Sequence, residues 1–125
     1  FYLIGQHRYT IDKFSLELPA GGIEHGDDPL EDAKRELAEE AGLAAKTWKL
    51  LGVTYPAKGL LNEPNYSYLA TNLTHIGEDS QAEEGITELR KVTFAEFDEL
   101  LLNGTIHDTQ TIATVARAKL ELERS

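Results

Sequence analysis

The sequence predicts an α/β domain in which a mixed sheet is covered by helices on both faces. Strand-like segments open the chain, one amphipathic helix follows them, and further strands precede two C-terminal helices. This order of elements favours helices packed on both sides of a sheet. A chain of 125 residues is long enough to bury its own core, so we expect a single domain over 1–125.

Two strands are predicted at the N-terminus. Residues 1–9 and 14–18 are rich in aromatic and β-branched side chains, and a polar turn near Asp12 separates them. The chain begins inside the apolar run FYLI and contains no Met. We therefore expect that the true start of the translated protein lies upstream of Phe1.

A helix is predicted over 29–41. Asp28 is placed to cap its N-terminus, Pro29 suits the first helical position, and Gly42 is expected to terminate the helix. One helical face is apolar and the neighbouring face carries acids, namely Asp32, Glu36, Glu39 and Glu40. One face is therefore expected to pack while the other is acidic.

The acidic face of this helix has two interpretations. A solvated, charge-rich surface helix is the ordinary one. However, Glu39 and Glu40 occupy the C-terminal turn, where the helix dipole disfavours each carboxylate by about 0.3–1 kcal/mol. A bound cation would reverse that penalty, so the spacing favours a divalent-metal site at this end of the helix.

The later part of the chain continues with strands and ends in two helices. Strand patterns cover 47–55, 65–72 and 86–94, and helix patterns cover 95–102 and 109–121. The last helix is expected to pack through one apolar face, formed by Ile112, Val115, Ala116 and Leu120. Two long loops, 56–64 and 74–85, are candidates for function.

The composition excludes several classes of function. The 12 basic residues against 22 acidic ones give a formal net charge of −10, which argues against a nucleic-acid surface. The absence of Cys excludes disulfides and thiolate metal sites. No apolar run approaches a membrane span and no signal-peptide pattern is present. We expect a cytoplasmic protein without nucleic-acid or membrane partners.

Residues 21–43, GGIEHGDDPLEDAKRELAEEAGL, resemble the Nudix box, G-x5-E-x7-R-E-U-x-E-E-x-G-U, where U is a bulky apolar residue. The matching positions are Gly21, Arg35, Glu36, Leu37, Glu39, Glu40, Gly42 and Leu43. Asp27 stands where the family has Glu, so it keeps the charge on a shorter arm. The resemblance extends to the order of elements over nearly the whole chain and implies the family's α/β/α sandwich.

The resemblance also implies the metal ligands. In the Nudix family they include the Glu after the box Arg and the second Glu of the following pair, which are Glu36 and Glu40 here. Glu39 is implied as a further ligand or as a partner of the catalytic water, and Arg35 as a brace for the carboxylates. Oxygen ligands of this kind suit Mg²⁺, with Mn²⁺ as the alternative cofactor.

Segments outside the box resemble the ADP-ribose pyrophosphatase subgroup. LELPAGG is similar to its LPAG-type segment, in which the Ala carbonyl, here of Ala20, joins the metal shell. QHRY is similar to a strand of the subgroup, which implies that Arg8 contacts phosphate or ribose. The loop YPAKGLLNE implies Gly59 and Glu63 as substrate-binding residues, although Lys58 replaces the second proline of the subgroup. For Arg8 and Glu63, an ordinary surface charge is the alternative.

The acidic loop supplies candidates for the catalytic base. In the subgroup, a Glu on the loop before the last long strand commonly orients or deprotonates the attacking water. Glu83 and Glu84 lie in the corresponding stretch, and the sequence does not choose between them. A solvated acidic loop without a catalytic role is the alternative.

The resemblance therefore implies a Mg-dependent hydrolase of the pyrophosphate bond in a nucleoside diphosphate-linked small molecule. ADP-ribose, cleaved to AMP and ribose 5-phosphate, is the best single substrate. A second interpretation replaces it with another nucleotide sugar or a dinucleotide. A third is a non-catalytic domain that senses a nucleotide metabolite, which only Asp27 supports. Many members of the subgroup are dimers, so the resemblance also implies a homodimer.

Overall fold

The computed structural model describes residues 1–20, 28–60, 63–77 and 85–124. The strands are β1 Tyr2–Arg8, β2 Lys13–Glu17, β3 Leu43–Thr54, β4 Asn65–His75 and β5 Ile86–Lys91. The helices are α1 Pro29–Glu36, continued by a π-helical turn Leu37–Ala41, α2 Phe94–Leu102 and α3 Thr109–Arg124. Every predicted element is present, which confirms the α/β class. None of the helices within those ranges is long and apolar enough to cross a membrane.

The described strands pair into two antiparallel sheets. β1 is the middle strand of a three-stranded sheet and lies between β2 and β5, with Ile4 opposite Glu17 and Leu89. β3 and β4 form a long two-stranded hairpin. The parallel component predicted for a mixed sheet is not found among these pairings. Neighbouring strands joined by a chain reversal pair antiparallel, and β1–β2 and β3–β4 are both joined in this way.

Alternation along β1 divides the core into two layers. Leu3 packs in a cluster with Phe97 of α2 and Val115 of α3, whereas the next residue, Ile4, packs against Ala41 of the π turn. Consecutive side chains of a strand point to opposite faces of a sheet. Helices α2 and α3 therefore cover one face of the three-stranded sheet, and the end of α1 covers the other.

Helix α3 buries a narrower face than the sequence predicts. Val115 is buried and Ile112 packs against the core, but Leu120 is 66% exposed and Ala116 is exposed. The C-terminal half of α3 meets the β3–β4 hairpin through polar contacts, such as the ion pair between Lys49 and Glu121. The prediction that Ala116 and Leu120 face the core is therefore wrong.

Gly5, in the middle of β1, leaves room for the ring of Phe14. A Cβ built at Gly5 would lie 2.4 Å from Phe14 Cζ and 3.1 Å from Glu88 Cβ. We expect Gly5→Ala to lower the free energy of unfolding by about 1–3 kcal/mol, because the ring and the neighbouring strand must shift. Urea unfolding followed by circular dichroism measures this loss.

Gly59 provides the matched control for this substitution. A Cβ built there meets nothing within 4 Å. Gly59→Ala is therefore expected to be neutral or to stabilise by up to about 1 kcal/mol, because it reduces the entropy of the unfolded chain. Equal losses of stability in the two variants would contradict the steric role of Gly5.

Candidate active site

Helix α1 begins with a capped turn and ends in a π-helical turn. Asp28 Oδ1 accepts a hydrogen bond from Leu30 N at 3.2 Å. The helix then widens over Leu37–Ala41, and Gly42 ends it in the left-handed conformation with φ of 65°. These bounds confirm the predicted helix over 29–41. The π turn was not foreseen, and such turns occur frequently at functional sites.

Glu40 lies on the π turn and points into the protein. The residue is 5% exposed, and its Oε1 accepts a hydrogen bond from the backbone N of Ala20 at 3.1 Å. This bond joins the segment after β2 to the last turn of the box helix, across 20 positions of sequence. Two residues that the family resemblance implies for the metal shell are therefore in direct contact.

Arg35 lies between two acids of the same helix. Its Nη2 is 3.0 Å from Asp32 Oδ1 and 3.5 Å from Glu36 Oε1. The Glu36 side chain is 15% exposed, and Glu39 on the following turn is half-buried. This contact is compatible with the expected role of Arg35 in positioning the carboxylates, and that role stays a prediction.

Asp32, which the sequence places on the acidic face of this helix, is buried. The residue is 5% exposed, and its Oδ2 has no hydrogen-bond partner among the described residues. A buried carboxylate oxygen without a donor costs about 1–3 kcal/mol or more. A cation or an ordered water beside Asp32 Oδ2 would reduce that cost, but Asp32 is on the first turn of α1 and Glu40 is on the π turn at its other end.

The chemistry of these residues fits a hard divalent cation. Carboxylate and carbonyl oxygens are the protein ligands that Mg²⁺ prefers, and the ion keeps several waters. In the part of the chain that the structure describes, no three acidic or histidine side chains converge closely enough to hold a metal by themselves. An ion that retains water needs few protein ligands, so the predicted set of Glu36, Glu40 and the Ala20 carbonyl stays a prediction.

A second polar contact joins Arg8, the last residue of β1, to Glu17, the last residue of the antiparallel strand β2. Arg8 donates from Nε to Glu17 Oε2 at 3.0 Å, and from Nη2 to Glu17 Oε1 at 2.6 Å. Burial alone would raise the pKa of Glu17, but hydrogen bonds from Arg8 and Ser15 together with the charge of Arg8 hold that pKa below its ordinary value. Sequence patterns did not single out Glu17. Its place just before the LPAG segment was the available signal.

Lowering the pH is expected to weaken the ion pair between Arg8 and Glu17. The folded-state pKa of Glu17 lies below its unfolded-state value of about 4.3, so its contribution to stability is complete above that pH and is lost as pH falls through the folded-state pKa. We expect the free energy of unfolding of the wild type to fall more steeply below about pH 4 than that of Glu17→Gln. Urea unfolding across this range measures both slopes. All other carboxylates are common to the two proteins, so equal slopes would contradict the role of Glu17.

The start of α3 holds the segment that leads to Ala20. Leu18 N donates to Thr111 Oγ1 at 3.1 Å, and Thr111 Oγ1 donates to Asp108 Oδ2 at 2.7 Å. Asp108 Oδ2 also accepts from Thr111 N at 2.9 Å and so caps the helix. This link was not predicted, because an Asp and a Thr at a helix start have the pattern of an ordinary cap.

The remaining predicted site residues are exposed or lie outside the described residues. Gly59 is exposed in the turn after β3, and Glu63 is exposed just before β4. Glu83 and Glu84, with the box residues Gly21 and Asp27, lie outside the described residues. The catalytic and substrate-binding roles assigned to Gly59, Glu63, Glu83 and Glu84 stay predictions.

Comparison with known proteins identifies the family to which this geometry belongs. A sequence model of the NUDIX domain matches residues 2–115. The chain belongs to the Nudix family. An ADP-ribose pyrophosphatase of Bacillus subtilis (strain 168) is 28% identical over 120 residues, which are 95% of this chain and 65% of that protein. An ADP-ribose pyrophosphatase of Mycobacterium tuberculosis (strain ATCC 25618 / H37Rv) is 36% identical over 115 residues, which are 90% of this chain and 56% of that protein.

Solved structures agree with the Nudix fold. A crystal structure described as an ADP compounds hydrolase superimposes with a TM-score of 0.85 at 20% sequence identity, covering 98% of this chain and 65% of that one. At this identity the match demonstrates the fold alone, and it confirms the predicted α/β sandwich. This Nudix chain spans only 56% to 65% of the length of the two pyrophosphatases.

Proposed function

We propose that this Nudix domain hydrolyses the pyrophosphate bond of a nucleoside diphosphate derivative with Mg²⁺, and that its substrate is ADP-ribose. The products would be AMP and ribose 5-phosphate. The observation that carries the proposal is the contact between Ala20 and Glu40, which unites the LPAG segment with the acidic end of the box helix. Two relatives named as ADP-ribose pyrophosphatases support the choice of substrate.

In the proposed reaction, each residue of the site has a separate role. When bound, Mg²⁺ supplies charge neutralisation at the phosphoryl oxygens and makes water a better nucleophile. Glu36, Glu40 and the carbonyl of Ala20 would hold the ion, and Glu39 would be a further ligand or a partner of the water. Arg35 keeps Glu36 in place through the 3.5 Å contact between Arg35 Nη2 and Glu36 Oε1. Mn²⁺ accepts the same oxygen ligands and is the alternative metal.

Other parts of the proposal depend on the family resemblance and composition. Glu83 or Glu84 is proposed to orient the attacking water from the acidic loop. Arg8, Gly59 and Glu63 are proposed to contact the substrate. A homodimer and a cytoplasmic location also stay predictions.

The test is hydrolysis of a panel of phosphate anhydrides with Mg²⁺ and with EDTA. The panel contains ADP-ribose, NADH, diadenosine polyphosphates, sugar nucleotides and nucleoside triphosphates. Added phosphatase releases phosphate from monophosphate products for detection. Turnover of ADP-ribose that requires metal and exceeds that of the other members would support the proposal. If another diphosphate is hydrolysed faster, that compound would replace ADP-ribose as the proposed substrate. Saturable binding of one compound without any turnover would favour a metabolite sensor.

A further inference from the structure

Gln110, on the first turn of α3, contacts both strands of the β3–β4 hairpin. Thr54 Oγ1 of β3 donates a hydrogen bond to Gln110 Oε1 at 3.0 Å. Gln110 Nε2 donates to Ser67 Oγ of β4 at 3.2 Å, and to Thr114 Oγ1 on the next turn of α3 at 3.3 Å. The oxygen and the nitrogen of one side-chain amide therefore hold two neighbouring strands.

These contacts lie at the end of the hairpin from which the loop 56–64 extends. Thr54 is opposite Asn65, and this is the last pair in the register of β3 with β4. Ser67 follows on β4, two positions after Asn65. The amide therefore fixes both strands at the point where the loop leaves the hairpin and returns to it.

The hydrogen bonds at this point form a connected network of neutral groups. Ser67 is 6% exposed, and Gln110 and Thr114 are half-buried. The Ser67 and Thr114 hydroxyls also bond to each other at 2.9 Å. Hydrogen bonds require a particular distance and direction, whereas apolar burial is non-directional. The network therefore specifies one position of the hairpin end on α3.

The same turn of α3 also holds the LPAG segment. Thr111 Oγ1 accepts a hydrogen bond from Leu18 N at 3.1 Å. Leu18 lies two residues before Ala20, whose backbone N donates to Glu40. Gln110 and Thr111 are consecutive, and consecutive Cα atoms are about 3.8 Å apart. The hairpin end and the LPAG segment are therefore attached to α3 at neighbouring points.

We propose that Gln110 is a positioning residue that holds the loop 56–64 in a fixed place relative to the LPAG segment and thereby maintains affinity for the substrate. The role of this loop in substrate binding, through Gly59 and Glu63, rests on the proposed function. A loop whose ends are held loses less freedom when it orders around a ligand. Loss of the Gln110 contacts should therefore weaken substrate binding more than it slows the chemical step.

The test replaces Gln110 with Met and with Glu. Gln110→Met keeps an unbranched side chain that suits a helix but removes every hydrogen bond of the amide. Gln110→Glu keeps an acceptor for Thr54, and its carboxylate also accepts from the Ser67 and Thr114 hydroxyls after these rotate. Gln110→Glu is therefore the conservative variant that should restore the network.

The first measurement is hydrogen exchange followed by NMR at single residues. In Gln110→Met, the protected amides within 52–54 and 65–67 are expected to exchange about tenfold faster, because the hairpin opens locally at this end. Amides within 43–46 and 73–75, at the other end of the hairpin, should exchange as in the wild type. Gln110→Glu should exchange like the wild type at both ends.

The second measurement is the affinity for ADP-ribose, by isothermal titration calorimetry in EDTA. Gln110→Met is expected to lose about fivefold or more in affinity, and Gln110→Glu to stay within about twofold of the wild type. In steady-state kinetics with Mg²⁺, KM should rise in Gln110→Met by a similar factor while kcat is maintained. Lys119→Met is the matched control, because it removes a contact of α3 with Asp98 of α2 and none with the hairpin.

Three outcomes would overturn the proposal. They are unchanged exchange at the hairpin end in Gln110→Met, wild-type affinity for ADP-ribose in that variant, and equal losses in Lys119→Met. A wild type that does not bind ADP-ribose would overturn it as well.

Exchange and binding do not require turnover, so they separate this proposal from the proposed function. Faster exchange with weaker binding of ADP-ribose, in a protein that hydrolyses nothing, would retain the role of Gln110 and reject the hydrolase. Hydrolysis of ADP-ribose with the same KM in Gln110→Met and in the wild type would do the reverse.

Discussion

Glu40→Gln is expected to lower kcat/KM for the best substrate by about 100- to 1,000-fold. Gln keeps the size of the side chain and an oxygen that can accept the hydrogen bond from Ala20 N, but it removes the negative charge. A divalent cation held by few protein ligands depends strongly on each carboxylate. Steady-state kinetics with ADP-ribose across a range of Mg²⁺ concentrations measures the loss.

Stability measurements separate this effect from unfolding. In EDTA, Glu40→Gln should stay within about 1 kcal/mol of the wild type in free energy of unfolding, because Gln has nearly the same size and keeps an oxygen that accepts from Ala20 N. Added Mg²⁺ should raise the Tm of the wild type but not that of the variant. Glu31→Gln is the control, since Glu31 is exposed on the same helix and lies outside the expected ligand set. Wild-type turnover by Glu40→Gln would exclude Glu40 as a metal ligand.

Thr111→Val is expected to lower the free energy of unfolding by about 2–4 kcal/mol. Thr111 is 1% exposed, and Val has nearly the same shape, so the substitution creates no cavity. It removes the acceptor of Leu18 N and the hydroxyl donor to Asp108 Oδ2. Leu18 N is then left without this acceptor, and an unpaired donor costs its full desolvation. Asp108 loses one charge-assisted bond but keeps the bond from Thr111 N. Urea unfolding at neutral pH measures the change.

The control for this substitution is Thr109→Val, on the first turn of the same helix but at an exposed position. It is expected to alter stability by less than about 0.5 kcal/mol. Thr111→Val should also reduce kcat/KM, because Leu18 positions the segment that contains Ala20. A Thr111→Val protein as stable as the Thr109→Val protein would show that this bond does not hold the LPAG segment.

Sequence patterns over a few neighbouring residues were sufficient to predict the helices, the strands and the residues of the Nudix box. Asp28 and Gly42 marked the ends of the box helix correctly, because capping and the left-handed stop depend on residues a few positions apart. Strand-like composition located every strand, although β3 begins at Leu43 rather than at Thr47 and β5 ends at Lys91 rather than at Phe94. The box resemblance identified the family, since its acids must keep a fixed spacing to share one helical face.

Sequence patterns could not predict which residues of distant segments contact each other. The partner of Arg8 is Glu17, a residue that no motif had marked. The strand register does not predict this pair, because it places Lys13 opposite Arg8 and Ile4 opposite Glu17. The exposure of Leu120 likewise depends on where α3 passes the sheet and meets the hairpin. The widening of the box helix into a π turn is not encoded in any pattern that we recognise.

The sequence by itself therefore determined the α/β class, the order of elements, the Nudix family and the identity of the acids on the box helix. Each of these follows from short-range periodicity or from fixed spacing within one element. The tertiary structure alone decided that Glu40 meets Ala20 and that Thr111 meets Leu18, across 20 and 93 positions. These hydrogen bonds depend on how the helices pack on the sheet, because burial of both sheet faces brings distant segments of the chain together.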